Sequence, residues 1–337
     1  MLRQIRAADA IVIYSVPLVE SAAEVLLSTV DNACSCRLVR NKVDVVILDE
    51  GGCVPEFKMP LLTRFDPDLL LVVGDHHQLP PYTECVDFNP VSVLERMAAS
   101  QSLNMLAIQY RMHPAICNVV SRNFYGRGLR TAPTVLTQMS ALTQVASPAT
   151  ARPICWITHE SGEQESGTSF MNLEECRILC DVVTGAGGPG LPSLEQEGLA
   201  GKKMLIVTFY KAQELLIKDK LEEIKDKREE KGLLSEYLKK INVMTVDACQ
   251  GSEADIVIVS TVRSNCNGNI GFIAKDRRRA NVALSRAKGR LIIVGDRKCM
   301  TRRGTRVWCD LWRNAEQVTG VSLSLGSEDV SRALSKQ

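Results

Sequence analysis

Short runs of aliphatic residues that do not alternate with polar ones recur along this chain. AIVIYS, VDVVILDE and LLLVVGD fall in the first third, and ICWIT, KMLIVTF, INVMTV, ADIVIVSTV and GRLIIVGD follow. A strand with one wet face alternates apolar and polar residues, so continuous runs predict strands buried on both faces of a parallel sheet. Helical patterns lie among them at Ser21 to Val30, Pro90 to Ala99 and Asn281 to Lys288, and Lys211 to Lys240 reads as a charged amphipathic helix or a helix pair with its break at Gly232. The expected architecture is α/β in two parallel-sheet lobes, residues 1–125 and 153–315, joined by a Thr-, Ala-, Ser- and Pro-rich linker at 126–152 and followed by a polar tail at 316–337.

Composition excludes several classes. Hydrophobic residues make up 45% and charged residues 24%, a globular balance, and the net charge of +2 leaves any basic surface local. Twelve cysteines without a CxxC, beside four histidines, argue against structural zinc and for a reducing compartment, the cytosol or the nucleus. The opening MLRQIRAADAIVIYSVPLV superficially suggests a leader, but Asp9 interrupts its apolar run and Pro17 breaks it, so Ala10 to Ser15 is read as a buried strand. No stretch has the length of a membrane span.

Chemistry-bearing residues gather at the ends of the apolar runs, where open α/β sheets bind ligands. Asp49 and Glu50 end one strand at a glycine turn, an arrangement that suits magnesium binding and water activation, and equally a strand meeting solvent at a polar turn. Gly74 and Asp75 end the next run, and the rigid loop HHQLPP carries Gln78 toward any phosphate; adjacent His76 and His77 cannot easily share a metal from one strand. In IQYRMHP, Tyr110 offers a flat face and Arg111 a cation, for a base and a phosphate or simply for a surface turn. Asp247, Gln250, Gly251 and Glu253 precede ADIVIVSTV. KDRRRANVALSRAKG holds three consecutive arginines, a solvated basic turn in the plainer reading, and Arg286, a candidate arginine finger.

These segments, with SGTSFMN and VTFYKAQ, occur in the order found in superfamily 1 helicases, and the chain resembles the group of the nonsense-mediated-decay helicase and senataxin over most of its length. The resemblance implies two RecA-like P-loop NTPase lobes with ATP and Mg2+ between them. It implies that Asp49 holds magnesium, Glu50 activates water, Gln78 senses the γ-phosphate, Tyr110 packs near adenine, Arg111 contacts phosphate and Arg286 is the finger. Asp75, Tyr210, Gln213, Gly251 and Glu253 would line the nucleotide, with Tyr210 and Gln213 near the inter-lobe cleft. Single-stranded RNA or DNA would cross both lobes by backbone contacts, with Thr245 and Arg263 as candidate contacts.

One element of that family is missing from the sequence. A phosphate loop needs G-x-x-x-x-G-K-[ST] between strand and helix, whereas the only Gly-Lys pair, Gly201-Lys202, is followed by Lys203. TGAGGPG, from Thr184, matches a dinucleotide pattern but follows a helix and meets Pro189, so it is read as a loop. The expectation is therefore the C-terminal part of a helicase, its first lobe cut at the front, with a missing N-terminal segment or a companion chain supplying the loop and with negligible ATP turnover by this chain alone. The alternative is a pseudo-helicase that binds nucleic acid or a partner without hydrolysis. The family often has alanine where Gly51 stands, and RNA is not distinguished from DNA.

Overall fold

A computed structural model describes residues 27–35, 43–83, 88–100, 103–135, 153–185, 202–233, 235–302 and 305–318, with Val25, Cys85 and Leu194 as single positions. The expected strand at Ala10 to Ser15, the linker beyond 135, the glycine-rich loop beyond Gly185, Gly201 and the tail beyond 318 lie outside the described residues; of the helix expected from Ser21 to Val30, residues 25 and 27–29 are described and not helical, and a helix begins only at Val30.

Helix α1 (Val30–Ser35) leads to strands β1 (Val45–Leu48) and β2 (Leu69–Val72), which pair in parallel with Val45 opposite Leu69. Helices α2 (Met59–Thr63) and α3 (Val93–Ser100) pack a small core of Leu48, Leu62 and Val93 against Val46 and Val72. The expectation of burial on both faces fails here. Ile47 is 64% and Leu69 54% exposed, because among the described residues only one face of this two-stranded sheet is covered. Strand β3 (Ile108–Gln109) follows, then helix α4 (Pro114–Phe124) and β4 (Arg130–Thr131), which pairs in parallel with β3.

The second lobe carries the five expected strands in one parallel sheet and adds a sixth, Glu316–Val318, from the stretch read as a polar tail, while Asn242 at the sheet edge is exposed. Strands β5 (Ile154–Ile157), β8 (Met204–Thr208), β9 (Asn242–Thr245), β10 (Ala254–Ser260), β11 (Ala287–Val294) and β12 (Glu316–Val318) form a parallel sheet in the order β12-β5-β11-β10-β8-β9. Successive side chains of the central strands enter opposite layers: Val257, Val259, Leu291 and Ile293 on one face, Ile256, Ile258, Ile292 and Val294 on the other. Between β5 and β8 come a hairpin of β6 (Gln164–Ser166) and β7 (Ser169–Met171), then helix α5 (Leu173–Thr184). Helix α6 (Lys211–Glu230) and the short α7 (Glu236–Lys239) are a charged pair, one of the two expected forms. With α5, α6 covers the second face.

The other face is covered by α8 (Phe272–Lys275), α9 (Arg277–Ser285), α10 (Arg297–Arg302) and α11 (Arg306–Asn314). Helix α4 packs there too, through Ile116, Val119, Val120 and Phe124, although the sequence reading groups it with the first lobe. Helix α9 starts four residues before the expected Asn281 because Asp276 caps it, accepting from the amides of Arg278 at 3.0 Å and Arg279 at 3.3 Å. The three arginines are therefore helical and partnered rather than a solvated turn. Arg277 donates to the Asn123 carbonyl, Arg278 reaches Glu95 at 2.7 Å, and Arg279 reaches Asp247 at 2.9 Å.

Candidate nucleotide cleft and single-strand groove

The DEGG turn after β1 is packed backbone against backbone. A Cβ on Gly52 would lie 2.6 Å from the Asp75 carbonyl oxygen, and one on Gly51 would lie 2.5 Å from Val72 Cγ1. At Gly51, where the resembling family often has alanine, a Cβ would require the Val72 side chain to shift. Glu50 adopts φ 54°, a left-handed conformation that costs a non-glycine residue about 1 kcal/mol or more and that packing must hold in place. Its amide donates to Asp49 Oδ1 at 2.9 Å, and no donor among the described residues reaches Asp49 Oδ2. One free carboxylate oxygen in an exposed position suits Mg2+, which takes one or two carboxylates plus substrate phosphates. No cluster of three or more His, Cys, Asp or Glu side chains that could hold a metal occurs among the described residues.

The first lobe faces the second through interlocked pairs. Asp75, expected to touch nucleotide, is instead a hub: it accepts from the Tyr125 hydroxyl at 2.5 Å, from Gln78 Nε2 at 2.9 Å and from the His77 amide at 2.9 Å. Holding the Gln78 amine turns its Oε1 outward, where Arg286 Nη2 donates to it at 3.1 Å. Arg286 is 2% exposed, and further donors serve the carbonyls of Val282 and Ser252 and the Ser285 hydroxyl. It crosses between the lobes as expected of a finger, but four of its five N–H groups are engaged by protein among the described residues. Gln250 Nε2 lies 3.2 Å from Glu50 Oε2 and 2.9 Å from Cys53 Sγ, a second cross-lobe link. Arg111 Nε bonds Glu253 at 2.8 Å, and Lys288 meets the other Glu253 oxygen at 2.7 Å. Burial would raise the Glu253 pKa, but these two cations lower it overall. Tyr110 is 70% exposed beside them, and Gly251 sits at φ 75°, a conformation that favours glycine.

Glu253 and Arg286 immediately precede β10 and β11, so the cleft meets the amino ends of the second sheet and the carboxyl ends of the first. Tyr210 and Gln213, expected near that cleft, follow β8 and lie at the opposite end. Gln213 is fully buried, its amide spent on both backbone groups of Asn172 and on Ser260 Oγ at 2.8 to 3.2 Å, so it supports structure and does not face the cleft. Tyr210 instead lines a groove of about 700 Å³ with Phe170, Thr245, Arg263 and Phe272. Arg263 lies 4.1 Å over the Phe170 ring, donates to the Tyr210 hydroxyl at 3.3 Å and pairs with Glu163 at 2.8 Å. Its predecessor Val262 has φ 68°, an outlier for a β-branched residue, held where Glu175 accepts from its amide at 2.8 Å.

Sequence reasoning missed Tyr125 and Asn281. Asn281 Nδ2 donates to the Tyr125 hydroxyl at 2.8 Å and to the His77 carbonyl at 2.9 Å, tying α9 to the Gln78 loop. Burial, followed by the charge of Asp75, pushes the Tyr125 hydroxyl well above its ordinary range, so it stays a donor. Asn281 lies within RRRANVALSR but carries no charge to attract notice, and Tyr125 belongs to no motif.

A parallel-sheet lobe whose strand-end polar groups reach across to a second strand-end site defines a two-lobed α/β protein with a polar cleft between its lobes. Residues 90–298 match the AAA domain family, more than half of the chain, and the chain belongs to that family. It is a superfamily 1 helicase region of the nonsense-mediated-decay and senataxin group. It is 29% identical over 295 residues to the regulator of nonsense transcripts 1 homolog of Arabidopsis thaliana, covering 85% of this chain and 22% of that protein. It is 30% identical over 300 residues to regulator of nonsense transcripts 1 of Caenorhabditis elegans, covering 87% and 26%. Against the probable helicase senataxin of Mus musculus it is 29% identical over 292 residues, covering 81% and 10%. The chain therefore spans about a quarter or less of these relatives. Among solved structures, an arterivirus nonstructural protein 10 helicase shares 15% identity at a TM-score of 0.35, covering 77% of this chain and 40% of that one.

Proposed function

We propose that this chain forms the second-lobe half and part of the first-lobe half of an ATP-dependent helicase that moves on single-stranded RNA or DNA. The observation that carries the reading is the double cross-lobe link, Arg286 to Gln78 and Gln250 to Glu50, which sets an arginine against the same loop pair that bears the carboxylates.

ATP with Mg2+, when bound, supplies the phosphoanhydride to be cleaved and the neutralising charge. Asp49 Oδ2 is free to ligate the metal, and Glu50, exposed beside it, is placed to orient water. Gln78, aligned by Asp75, presents an amide oxygen, and Arg286 becomes available to a terminal phosphate by exchanging its bond to that oxygen. Tyr110 offers an exposed ring for a base, Arg111 a cation for phosphate, and Gly251 with Glu253 a wall. The groove of Phe170, Tyr210, Thr245 and Arg263 suits a single strand, with aromatic faces for bases and a guanidinium beside them.

No segment of the 337 residues matches the phosphate loop, so turnover by this chain alone is expected to be negligible, a companion segment or chain supplying that loop. The same sequence fact favours the second reading, a chain that binds nucleic acid or a partner without hydrolysis. The cysteine usage supports residence in cytosol or nucleus, and no described helix is long and apolar enough to cross a membrane.

Two measurements test this. The 337-residue chain should bind a fluorescein-labelled single-stranded 12-mer with strong salt dependence, and Arg263→Ala should lower the slope of log K against log salt by about one. The native polypeptide, isolated from source with an antibody to the second lobe, should hydrolyse ATP when single strands are added. Absence of single-strand binding at low salt would overturn the groove assignment. Stimulated hydrolysis by the 337-residue chain that vanishes in Glu50→Gln would overturn the expected inactivity, and a native polypeptide that never hydrolyses ATP would leave the second reading.

A further inference from the structure

Helix α4 buries one face in the second lobe and shows another to solvent. Across that outer face, between α4 and β4, lies a cleft of about 580 Å³ whose lining includes Arg122, Arg127 and Arg130. None of these residues belongs to the nucleotide cleft or to the groove.

The three cations are not balanced. Arg127 and Arg130 are exposed, and their side chains make no hydrogen bond or ion pair among the described residues. Arg122 lies 3.1 Å from Asp310 in an ion pair whose angle makes no hydrogen bond, and its Nε is buried with no acceptor. A guanidinium with one donor buried and unpaired keeps its charge only partly compensated, which favours an anion at the cleft.

The turn that carries Arg127 is strained in a way that serves this cleft. Arg127 adopts φ 70°, a conformation that costs an arginine about 1 kcal/mol or more, immediately after Gly126 at φ 56°. The strain is locked by the Arg127 amide donating to the Ser121 carbonyl at 2.9 Å and the Leu129 amide donating to the Ser121 hydroxyl at 3.1 Å. Both anchors lie on α4, so the turn is tied to the helix that forms the opposite wall.

Two unpaired guanidinium groups and an orphaned donor exceed what one carboxylate would neutralise, and they match a phosphoryl group of about −1.5 to −2 charge. Among the described residues no aromatic ring lines the cleft, so they offer no stacking surface of the kind single-stranded nucleic acid uses. Pro114 and Leu129 supply an apolar patch of the kind a peptide side chain covers. We propose that the cleft between α4 and β4 binds a phosphorylated, acidic peptide segment of a partner protein, with Arg127 and Arg130 holding the phosphate and the partly exposed Arg122 adding its charge at the inner wall. This does not depend on the nucleotide reading.

The test is fluorescence anisotropy with the purified chain and three fluorescein-labelled probes. They are a decapeptide of Asp, Ser and Leu with one central phosphoserine, the same peptide without phosphate, and an oligouridine decamer. The phosphopeptide should bind at least about tenfold more tightly than its unmodified form, consistent with charge-assisted guanidinium–phosphate bonds. Arg127→Glu with Arg130→Glu should abolish that difference without shifting the melting temperature, since neither side chain has a partner to lose. The single variant Arg127→Ala should weaken the phosphopeptide alone. Equal affinity for both peptides, or no effect of the charge reversal, overturns the site. A reversal that weakens oligouridine more than phosphopeptide assigns the arginines to nucleic acid and overturns the peptide class.

Discussion

Glu175 is the group whose replacement has the most calculable consequence. It is fully buried, and its two oxygens accept four donors: Ser260 Oγ at 2.5 Å and Val262 N at 2.8 Å on one, His159 Nε2 at 3.1 Å and Thr261 Oγ1 at 3.2 Å on the other. Glu175→Gln keeps the shape but puts an N–H pair where one oxygen stood. The hydroxyls of Ser260 and Thr261 can turn to accept. The Val262 amide cannot, and neither can His159 Nε2 while the Ser161 amide donates to Nδ1 at 3.2 Å. Whichever way the amide is placed, one donor meets another. An orphaned buried donor costs about 1–3 kcal/mol, and the loss of charge assistance at the remaining bonds adds to it, so about 3 kcal/mol is expected in all. For a lobe of this size that lowers the melting temperature by roughly 6–12 °C.

The pH profile should change with it. Burial pulls the His159 pKa down, but the Glu175 hydrogen bond and charge, helped by Asp296 and Glu174, more than offset it and leave it raised. A raised histidine contributes stability that is full below the unfolded value near 6.5 and is lost as pH rises through the folded value. That loss should be present in the wild type and absent in the variant. Urea denaturation at pH 5.5, 7 and 8.5 measures both effects, and the turn that leads into Arg263 loses its Val262 anchor. A variant within about 0.5 kcal/mol of wild type, with the same pH slope, would refute the reasoning.

Two further outcomes follow from packing and charge. Gly52→Ala pushes a Cβ against the Asp75 carbonyl at 2.6 Å, backbone that cannot swing aside, and should destabilise the first lobe by about 1–3 kcal/mol, read as earlier proteolytic cleavage of that lobe while the second stays intact. Glu223, held down to about pKa 2 first by its Lys227 bond and then by Lys220, is 45% exposed, so screening discounts its contribution, and Glu223→Gln should change stability by less than about 0.5 kcal/mol. Whatever it does contribute is present above the unfolded value of 4.5 and lost as pH falls toward 2, which acid titration of wild type against variant would show.

The second lobe was legible because its strands are buried on both faces, and burial on both faces is what a continuous aliphatic run encodes. The same pattern misled in the first lobe: β1 and β2 carry equally continuous runs, yet Ile47 and Leu69 stand exposed. A run records what a strand is suited to pack against, not what the described residues supply. The site was legible by residue type and illegible by orientation. Asp75 and Gln213 have the chemistry of ligand-binding groups, but a local turn and a buried amide pair spend it on other side chains. Nothing in TVRSN marks Val262 as strained, since the cause, Glu175, lies 87 residues upstream.

The cleft's polar groups satisfy one another, and that sets a condition on any ligand. Arg286 Nη2 turns to a phosphate by giving up Gln78, and Glu50 Oε2 turns to a water by giving up Gln250. Each exchange trades a protein hydrogen bond for a ligand bond, so the net gain is the difference between a neutral amide partner and a charged one. Both exchanged bonds cross between the lobes, so a ligand that takes them releases one set of lobe contacts while supplying another through itself. Strand β10 runs from beside Glu253 to beside Arg263 through seven residues, six of them fully buried, and therefore joins the cleft end of the sheet to the groove end as one rigid element. A displacement of Ser252 or Glu253 on release of Arg286 is thus mechanically continuous with the turn that positions Arg263, which is the physical requirement for nucleotide occupancy to alter the grip on a strand.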